Sequence, residues 1–442
     1  MKFTYDEILK ATQAEVLQCQ NTSGCLSLST DSRNINDTNM YIPLKGEKFD
    51  GHNFIEDAVN KGARGYLTSD KNLIFPQAKF ILYVEDTLTA YLKLAKYYKD
   101  KINPITVAIT GSSGKTTTKE MMASVLSEQY KIHKTALNHN NEVGLCQTML
   151  SMPEDTEILV LEMGMRGPKE IELLSKYSEP DIAVIANTGT SHIGRLGSVK
   201  NIAKAKCEIT KYLHEEGLLI AHNTELIKSV NTYKGQTVYV SLDDVKDIVL
   251  KENSSEFTYA NHRFELNIEG EHNIQNSLFV IIAGLKLGIS PQKIANGLKK
   301  YKPIEKRWES LSISGYNIIN DSYNSNPDSL KAAIKTFLVS NKNYENQRWL
   351  VLGDMKELGK EEKIYHQQIG EFLNSFLNIN LITVGPLAKY MTETTKHISI
   401  SFPDNRGVAE FIKKHATKGS PILFKASRSM KFEEIIKELS EL

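Results

Sequence analysis

Apolar residues in this chain gather in short blocks divided by polar turns, and the blocks have two kinds of spacing. Residues 40–44, 80–84, 105–110, 158–161 and 182–186 are compact runs rich in β-branched and large apolar side chains, which predicts buried strands. Stretches 52–61 and 88–98 carry apolar residues at helical intervals. Met121, Met122, Val125 and Leu126 form two adjacent pairs four residues apart, so all four share one helical face. Beyond residue 310 the rhythm returns, with strands predicted at 316–319, 349–352, 381–384 and 422–424 and helices at 329–338 and 432–439. Such alternation predicts an α/β protein of mostly parallel sheets covered on both faces.

Two polar, proline-containing links, 101–104 and 300–303, interrupt the pattern. They predict three domains: 1–102, a small α/β domain; 103–304, a parallel-sheet domain; and 305–442, an α/β unit of Rossmann-like type. The last unit has no Gly-x-Gly-x-x-Gly after its first strand, so nothing marks a nicotinamide site.

Composition narrows the function. Lys plus Arg is 54 against 53 acidic residues, a net charge of +1. No whole-chain attraction to nucleic acid or to an anionic membrane follows, and any bound anion must be held by a local site. The longest strongly apolar run, 278–285, is far shorter than the ~20 residues of a membrane helix. The first residues contain no apolar signal-peptide core, and the four cysteines lack redox or zinc spacing. A reducing cytoplasm is the expected compartment.

The strongest chemical signal is Thr110-Gly111-Ser112-Ser113-Gly114-Lys115-Thr116-Thr117, between a predicted strand and a predicted helix. Glycines let successive N–H groups converge on phosphate oxygens, and the following helix adds its positive end. Lys115 supplies a charge for the β and γ phosphates, and Thr116 a hydroxyl for Mg²⁺. The usual first glycine is absent, since position 109 is Ile. A plain Gly-Ser turn is the alternative. Glu162, after the strand at 158–161, is placed to hold a metal or to be a solvent-facing strand-end charge. His192 lies past another strand end among glycines. Lys204, Lys206 and Glu208 fall on a predicted helix, where a solvated charged face is the alternative. The polar runs 138–144, 321–329, 353–359 and 425–430 complete the candidates. The last three follow strands, on the edge where open α/β sheets bind ligands.

Taken together these segments resemble the Mur ligase family. The resemblance runs the length of the chain: Thr-Asp-Ser-Arg at 30–33, Leu-Lys-Gly-Glu-Lys-Phe-Asp-Gly-His at 44–52, the loop at 110–117, Asn-Asn-Glu-Val-Gly at 140–144, Glu-Met-Gly at 162–164, Ala-Lys-Cys-Glu-Ile at 205–209 and His-Asn-Ile-Gln-Asn at 272–276. It continues through Asp-Ser-Tyr-Asn-Ser-Asn-Pro-Asp-Ser, Leu-Gly-Asp-Met-Lys-Glu-Leu-Gly and Ser-Arg-Ser-Met.

The resemblance implies a cytoplasmic, ATP- and Mg²⁺-dependent amide ligase that adds D-alanyl-D-alanine to UDP-N-acetylmuramoyl-tripeptide through an acyl phosphate. It implies ATP contacts at Gly111, Ser112, Ser113, Gly114, Lys115, Thr116, Thr117, Asn273, Asn276, Arg307 and Asp321. It implies metal contacts at Thr116, Glu162 and His192, and catalytic roles for Lys115, His192 and Lys206, the last as a carbamate. Substrate contacts are implied at Asp31, Ser32, Arg33, Lys45, Gly46, Asn140, Asn141, Tyr323, Asn324, Asn326, Ser427 and Arg428. A monomer with small-molecule substrates, and neither nucleic acid nor membrane as partner, is expected. Cys146, Glu271, Lys306 and Ala426 depart from the usual pattern, and Ala426 would be strained if its backbone needed φ > 0. Two other readings remain open: a family ligase for an earlier precursor or for folate, and a nucleotide-binding homologue without catalysis.

Overall fold

A computed structural model describes residues 1–251, 253–344 and 347–441. Leu442, the end of the third expected domain, lies outside the described residues. The chain divides into two compact units.

The first unit contains residues 1–106, 131–161 and 173–179. Its five-stranded sheet runs in the order Glu15–Cys19, Phe80–Tyr83, Gly65–Thr68, Asn39–Tyr41, Ser27–Ser29. Only the first pairing is antiparallel. The strand predicted at 40–44 stops at Tyr41, because Pro43 has no N–H to continue a ladder. The helix Thr87–Ile102 is capped by Asp86 and ends at Asn103 in left-handed conformation. Lys99, nearly buried, donates to the Ser178 carbonyl at 3.0 Å, and the Tyr98 hydroxyl donates to that of Met152 at 2.8 Å. These bonds stitch the later pieces of the unit to the first. Ile132–Lys134 pairs in parallel with Ile158–Glu162.

The second unit contains residues 107–130, 162–172 and 180 onward. Strands Gln236–Val240, Leu218–His222, Ile182–Ile185 and Ile105–Thr110 lie side by side, all parallel. The helix Lys115–Leu126 follows the last of these, and Met121, Met122, Val125 and Leu126 are fully buried on one face as the spacing predicts. Helices Glu271–Lys286 and Pro291–Lys300 pack on that face. Gly297 permits the contact: a Cβ there would stand 2.5 Å from the Val125 Cα.

A six-stranded sheet follows in the order Glu309–Ile313, Tyr316–Asn320, Pro421–Lys425, Arg348–Gly353, Ile379–Val384, Ile398–Phe402. It is parallel except for its first pair. The main departure from the expected pattern is an antiparallel meander, Lys246–Lys251, Ser254–Tyr259 and His262–Leu266. Its first strand is largely exposed and mixed in polarity, so it carries no apolar block to announce it.

Candidate active site

The strand Ile105–Thr110 delivers the chain into the 110–117 loop at the C-terminal edge of its sheet. Ile109 stands in place of the missing glycine because that position is still strand: it is fully buried and its carbonyl accepts the Met163 N–H at 2.8 Å. Gly114 adopts φ +76°, and a Cβ there would stand 2.6 Å from Asn276 Oδ1. The first bond inside the helix runs from the Thr118 N–H to the Gly114 carbonyl, at 2.8 Å. The N–H groups of residues 115–117 therefore precede any helical acceptor and face outward from the positive end.

A residue that sequence reasoning missed holds the loop in shape. Asn187 Oδ1 accepts the N–H groups of Ser112, at 2.9 Å, and Ser113, at 3.0 Å. Asn187 Nδ2 donates to the Ser113 carbonyl and hydroxyl. Two successive N–H groups meeting one oxygen already form an anion-type cradle. An Asn two residues past a strand end was the only sequence signal.

Lys115 donates to the Gly111 carbonyl at 2.8 Å. Burial pushes its pKa down, Glu162 opposes the shift, and Arg307 adds to it. Lys206, on the helix Val199–Cys207, is 2% exposed. The solvated face suggested by its neighbours holds only for Lys204. Burial drives the Lys206 pKa well down, and the charge of Lys115 drives it further. Among the described residues Lys206 has no ion-pair partner.

Glu162 is the last residue of its strand rather than the first beyond it, and it is 4% exposed. Lys119, one turn after Lys115 and also buried, brings its ammonium within 3.9 Å of the Glu162 carboxylate and 3.1 Å of that of Glu120. Thr116 is equally buried. Among the described residues no cluster of three or more His, Cys, Asp or Glu side chains could hold a metal alone. Mg²⁺ takes one or two protein oxygens and completes its shell with phosphates and water. Thr116 and Glu162 are oxygen donors of this type.

His192, with φ +63°, sets Nδ1 2.6 Å from Glu357 Oε2. His192 beside it is the chief reason that the Glu357 carboxyl lies below its ordinary range. A carboxylate on one ring nitrogen orients the other, the usual support for a histidine ligand.

The helix Glu271–Lys286 brings Asn276 against Gly114 of the loop. Asn273 Nδ2 donates to the Glu269 carbonyl at 2.7 Å. The Tyr301 hydroxyl meets Thr117. Arg307 lies over the Tyr323 ring at 4.1 Å, with its Nε buried and unpartnered. Its neighbours Lys306 and Trp308 have φ +62° and +56°. Strain thus sits at Lys306, where a glycine is usual, and not at Ala426, whose φ is not positive. Ala426 is fully buried, and its Cβ lies where a side chain on Gly353 would have to go. Glu271 forms an ion pair with Lys335 at 2.7 Å, and Cys146 is a buried residue of the helix Glu142–Leu150.

Asp321 Oδ2 accepts from the buried Lys425 ammonium at 2.6 Å, and Lys425 also donates to the Asn324 carbonyl at 3.1 Å. Asn324 Oδ1 accepts the Ser325 N–H. Asn326 caps the helix Pro327–Ser340. Ser427 accepts the Lys356 N–H at 3.0 Å, while Arg428 pairs with Glu433, which also lies 3.4 Å from Lys306.

The remaining candidates fall in the first unit. Arg33 makes a two-pronged contact with Asp31 at 2.8 and 2.9 Å and holds its carboxyl at about 2. Lys61 donates to the carbonyl of Ser32, which is itself buried. Gly46 donates its N–H to the Phe49 carbonyl, and Lys45 lies 3.6 Å from Asp50. Asp50 in turn holds His52. Asn141 caps its helix through the Gly144 N–H, and the Asn140 N–H bonds to the Asn138 carbonyl.

Residues 109–284 match the Mur ligase middle domain, 306–428 the glutamate ligase domain of Mur ligases, and 27–100 the catalytic domain of the Mur ligase family. A Bacillus subtilis (strain 168) protein is 40% identical over 427 residues, covering 94% of this chain and 93% of its own length. The chain belongs to the Mur ligase family. That relative is the UDP-N-acetylmuramoyl-tripeptide–D-alanyl-D-alanine ligase of its organism. Among solved structures, MurF from Acinetobacter baumannii superimposes with a TM-score of 0.93, at 28% identity, over 100% of this chain and 99% of that one. The MurF ligase of Thermotoga maritima in complex with ADP gives 0.85, also at 28% identity, over 94% and 97%. The three-domain Mur ligase architecture expected from the motifs is therefore present. No described helix is long and apolar enough to cross a membrane.

Proposed function

We propose that this Mur ligase joins D-alanyl-D-alanine to UDP-N-acetylmuramoyl-tripeptide with cleavage of ATP to ADP and phosphate, in the cytoplasm and as a monomer. The observation that carries the reading is the buried cationic and oxygen-donor set around the 110–117 loop, in a chain that matches ligases of this specificity over nearly its whole length. Domain 1–102 binds the UDP-sugar through Asp31, Ser32, Arg33, Lys45 and Gly46. Domain 103–304 binds ATP, and domain 305–442 supplies Arg307, Asp321, Tyr323, Asn324, Ser427 and Arg428 to the nucleotide and the dipeptide.

The loop N–H groups and Lys115 hold the β and γ phosphates. Phosphoryl transfer needs little else from a protein than positioning and charge. Thr116 and Glu162 would hold Mg²⁺, with His192 at a second position, and the ion would supply positive charge to the phosphates. The tripeptide carboxylate attacks the γ-phosphorus, ADP leaves, and an acyl phosphate remains. The dipeptide amine, having lost its proton, attacks the acyl carbon, and phosphate leaves.

Lys206 is a buried amine with a neighbouring cation and, among the described residues, no ion-pair partner. Its lowered pKa favours the neutral amine, which adds to the carbon of CO₂ and releases a proton. The resulting carbamate carries the negative charge that its surroundings lack, and it faces Lys115. Asn273 and Asn276 contact the nucleotide, and Asn140 and Asn141 the substrate.

Phosphate release tests the reading, with ATP and Mg²⁺ and with UDP-muramoyl-tripeptide and D-alanyl-D-alanine supplied together or singly. Release that needs both, with an amide product by mass, is expected. Product with a single amino acid in place of the dipeptide would move the chain to another branch of the family. ADP binding without turnover in any mixture would mark a non-catalytic homologue.

A further inference from the structure

The segment 187–191 is bonded on both sides. Toward the phosphate loop, Asn187 binds Ser112 and Ser113 as described, the Ser112 hydroxyl donates to the Gly189 carbonyl at 3.0 Å, and the Ser191 hydroxyl donates to the Ser112 carbonyl at 2.9 Å. Toward the last sheet, Asp328 Oδ2 accepts both the N–H and the hydroxyl of Thr190, at 2.7 and 2.8 Å. Asn326 Nδ2 donates to the Ser191 hydroxyl oxygen at 2.7 Å. The fit is close, since a Cβ on Gly189 would stand 2.4 Å from Asp328 Oδ2.

Ser191 has one proton, and it goes to Ser112. Its oxygen is turned to Asn326. The bonds therefore run in one direction, from Asn326 through Ser191 to Ser112. All three residues are buried, which keeps water from replacing a lost partner. Both polar groups of the Asn326 side chain are in use, since Oδ1 accepts the Ser329 N–H at 2.9 Å.

We infer that Asn326 and Asp328 are positioning residues for the phosphate loop, acting through Ser191 and Thr190, so that seating of the last domain sets the shape in which the loop receives nucleotide. The inference rests on the reading of 110–117 as the ATP site. It gives Asn326 a role other than substrate contact.

Asn326→Asp separates coupling from capping. Aspartate caps a helix as well as asparagine does. It cannot donate to Ser191, and it draws the Ser191 proton away from Ser112. The experiment titrates the full-length protein with ADP by calorimetry and measures KM for ATP and for D-alanyl-D-alanine. Asn326→Asp and Ser191→Ala should each weaken ADP and raise the ATP KM about tenfold, the scale of one buried hydrogen bond. The dipeptide KM should change less than twofold. The double variant should be no worse than the poorer single, because both break one relay. Thr190→Ser, which keeps the clamp on Asp328, should bind ADP as the wild type does.

ADP affinity within twofold of wild type in both single variants, or additive losses, would overturn the coupling. A dipeptide KM that moves in place of the ATP KM would return Asn326 to the substrate. If the wild type ligates nothing while Ser191→Ala and Asn326→Asp still weaken ADP, the ligase reading fails and the coupling stands.

Discussion

Gly114 offers a quantitative check on the loop, because two separable effects meet there. Its φ of +76° lies in the left-handed region, where an L side chain costs about 1–2 kcal/mol. Its absent side chain also leaves room for Asn276, since a Cβ would stand 2.6 Å from Oδ1 and 3.2 Å from Nδ2. Asn276 is buried on a packed helix and must shift or push that helix, which costs roughly another 1–3 kcal/mol. Gly114→Ala should therefore lose about 3 kcal/mol, lowering the unfolding temperature by about 5 °C for a unit of this size. In an Asn276→Ala background the contact is gone and the backbone effect remains, so the same substitution should lose only about 1–2 kcal/mol. Thermal unfolding of the four proteins of the cycle, without nucleotide, measures both. Equal losses in the two backgrounds would refute the packing argument, and no loss in either would refute the conformation.

Lys206→Met should abolish ligation, with no rescue by bicarbonate, while depletion of CO₂ should reversibly lower wild-type turnover. A wild type indifferent to CO₂, showing no carbamate signal with ¹³C-labelled bicarbonate, would exclude the modification. His272 is held at about 4, chiefly by burial, with Asp321 opposing that shift and Lys425 adding to it. Its folded pKa is below its ordinary value of 6.5, so the neutral ring contributes stability at neutral pH that is lost as pH falls from 6.5 through about 4. The unfolding temperature of wild type should thus fall more steeply over that range than that of His272→Gln; parallel curves would refute this. Lys306→Gly should relieve the left-handed backbone, gaining about 1 kcal/mol less whatever the ion pairs with Glu305 and Glu433 contribute. A destabilised variant would show that Lys306 is held by its contacts rather than strained.

The strands and helices that position the loop were legible because buried elements carry their own signature. Residues 105–110 are mostly β-branched and are buried from Thr106 onward, and the 121–126 face repeats at helical spacing. The meander at 246–266 was not legible, since a largely exposed strand such as Lys246–Lys251 needs no apolar block. Motif residues were recognisable as chemistry, but their partners were not. Asn187 and Lys119 are defined by what they touch across long stretches of sequence, and although Lys425, Asp328 and Glu357 lie in the candidate runs, spacing holds no trace of which residues they meet. Lys206 shows the same limit from the other side. Its charged helical neighbours suggested solvent, and only the packing of the helix buries it. Ala426 and Lys306 likewise exchanged roles, because backbone sign depends on the local turn and not on which residue a pattern usually holds.

The first unit is built from three pieces of chain, ending at residues 106, 161 and 179, and the phosphate loop with its helix is threaded between the first two. This sets an order of events during synthesis. The loop leaves the ribosome before the unit that precedes it has received its last piece. At about 5–20 residues per second, the roughly seventy residues after Thr106 take about 4–15 s to appear. Through that interval the ammonium of Lys99 and the hydroxyl of Tyr98 wait for the carbonyls of Ser178 and Met152. Expression of residues 1–106 alone would leave them without these partners, so a fragment carrying this unit is better cut from a chain that reaches past Glu179.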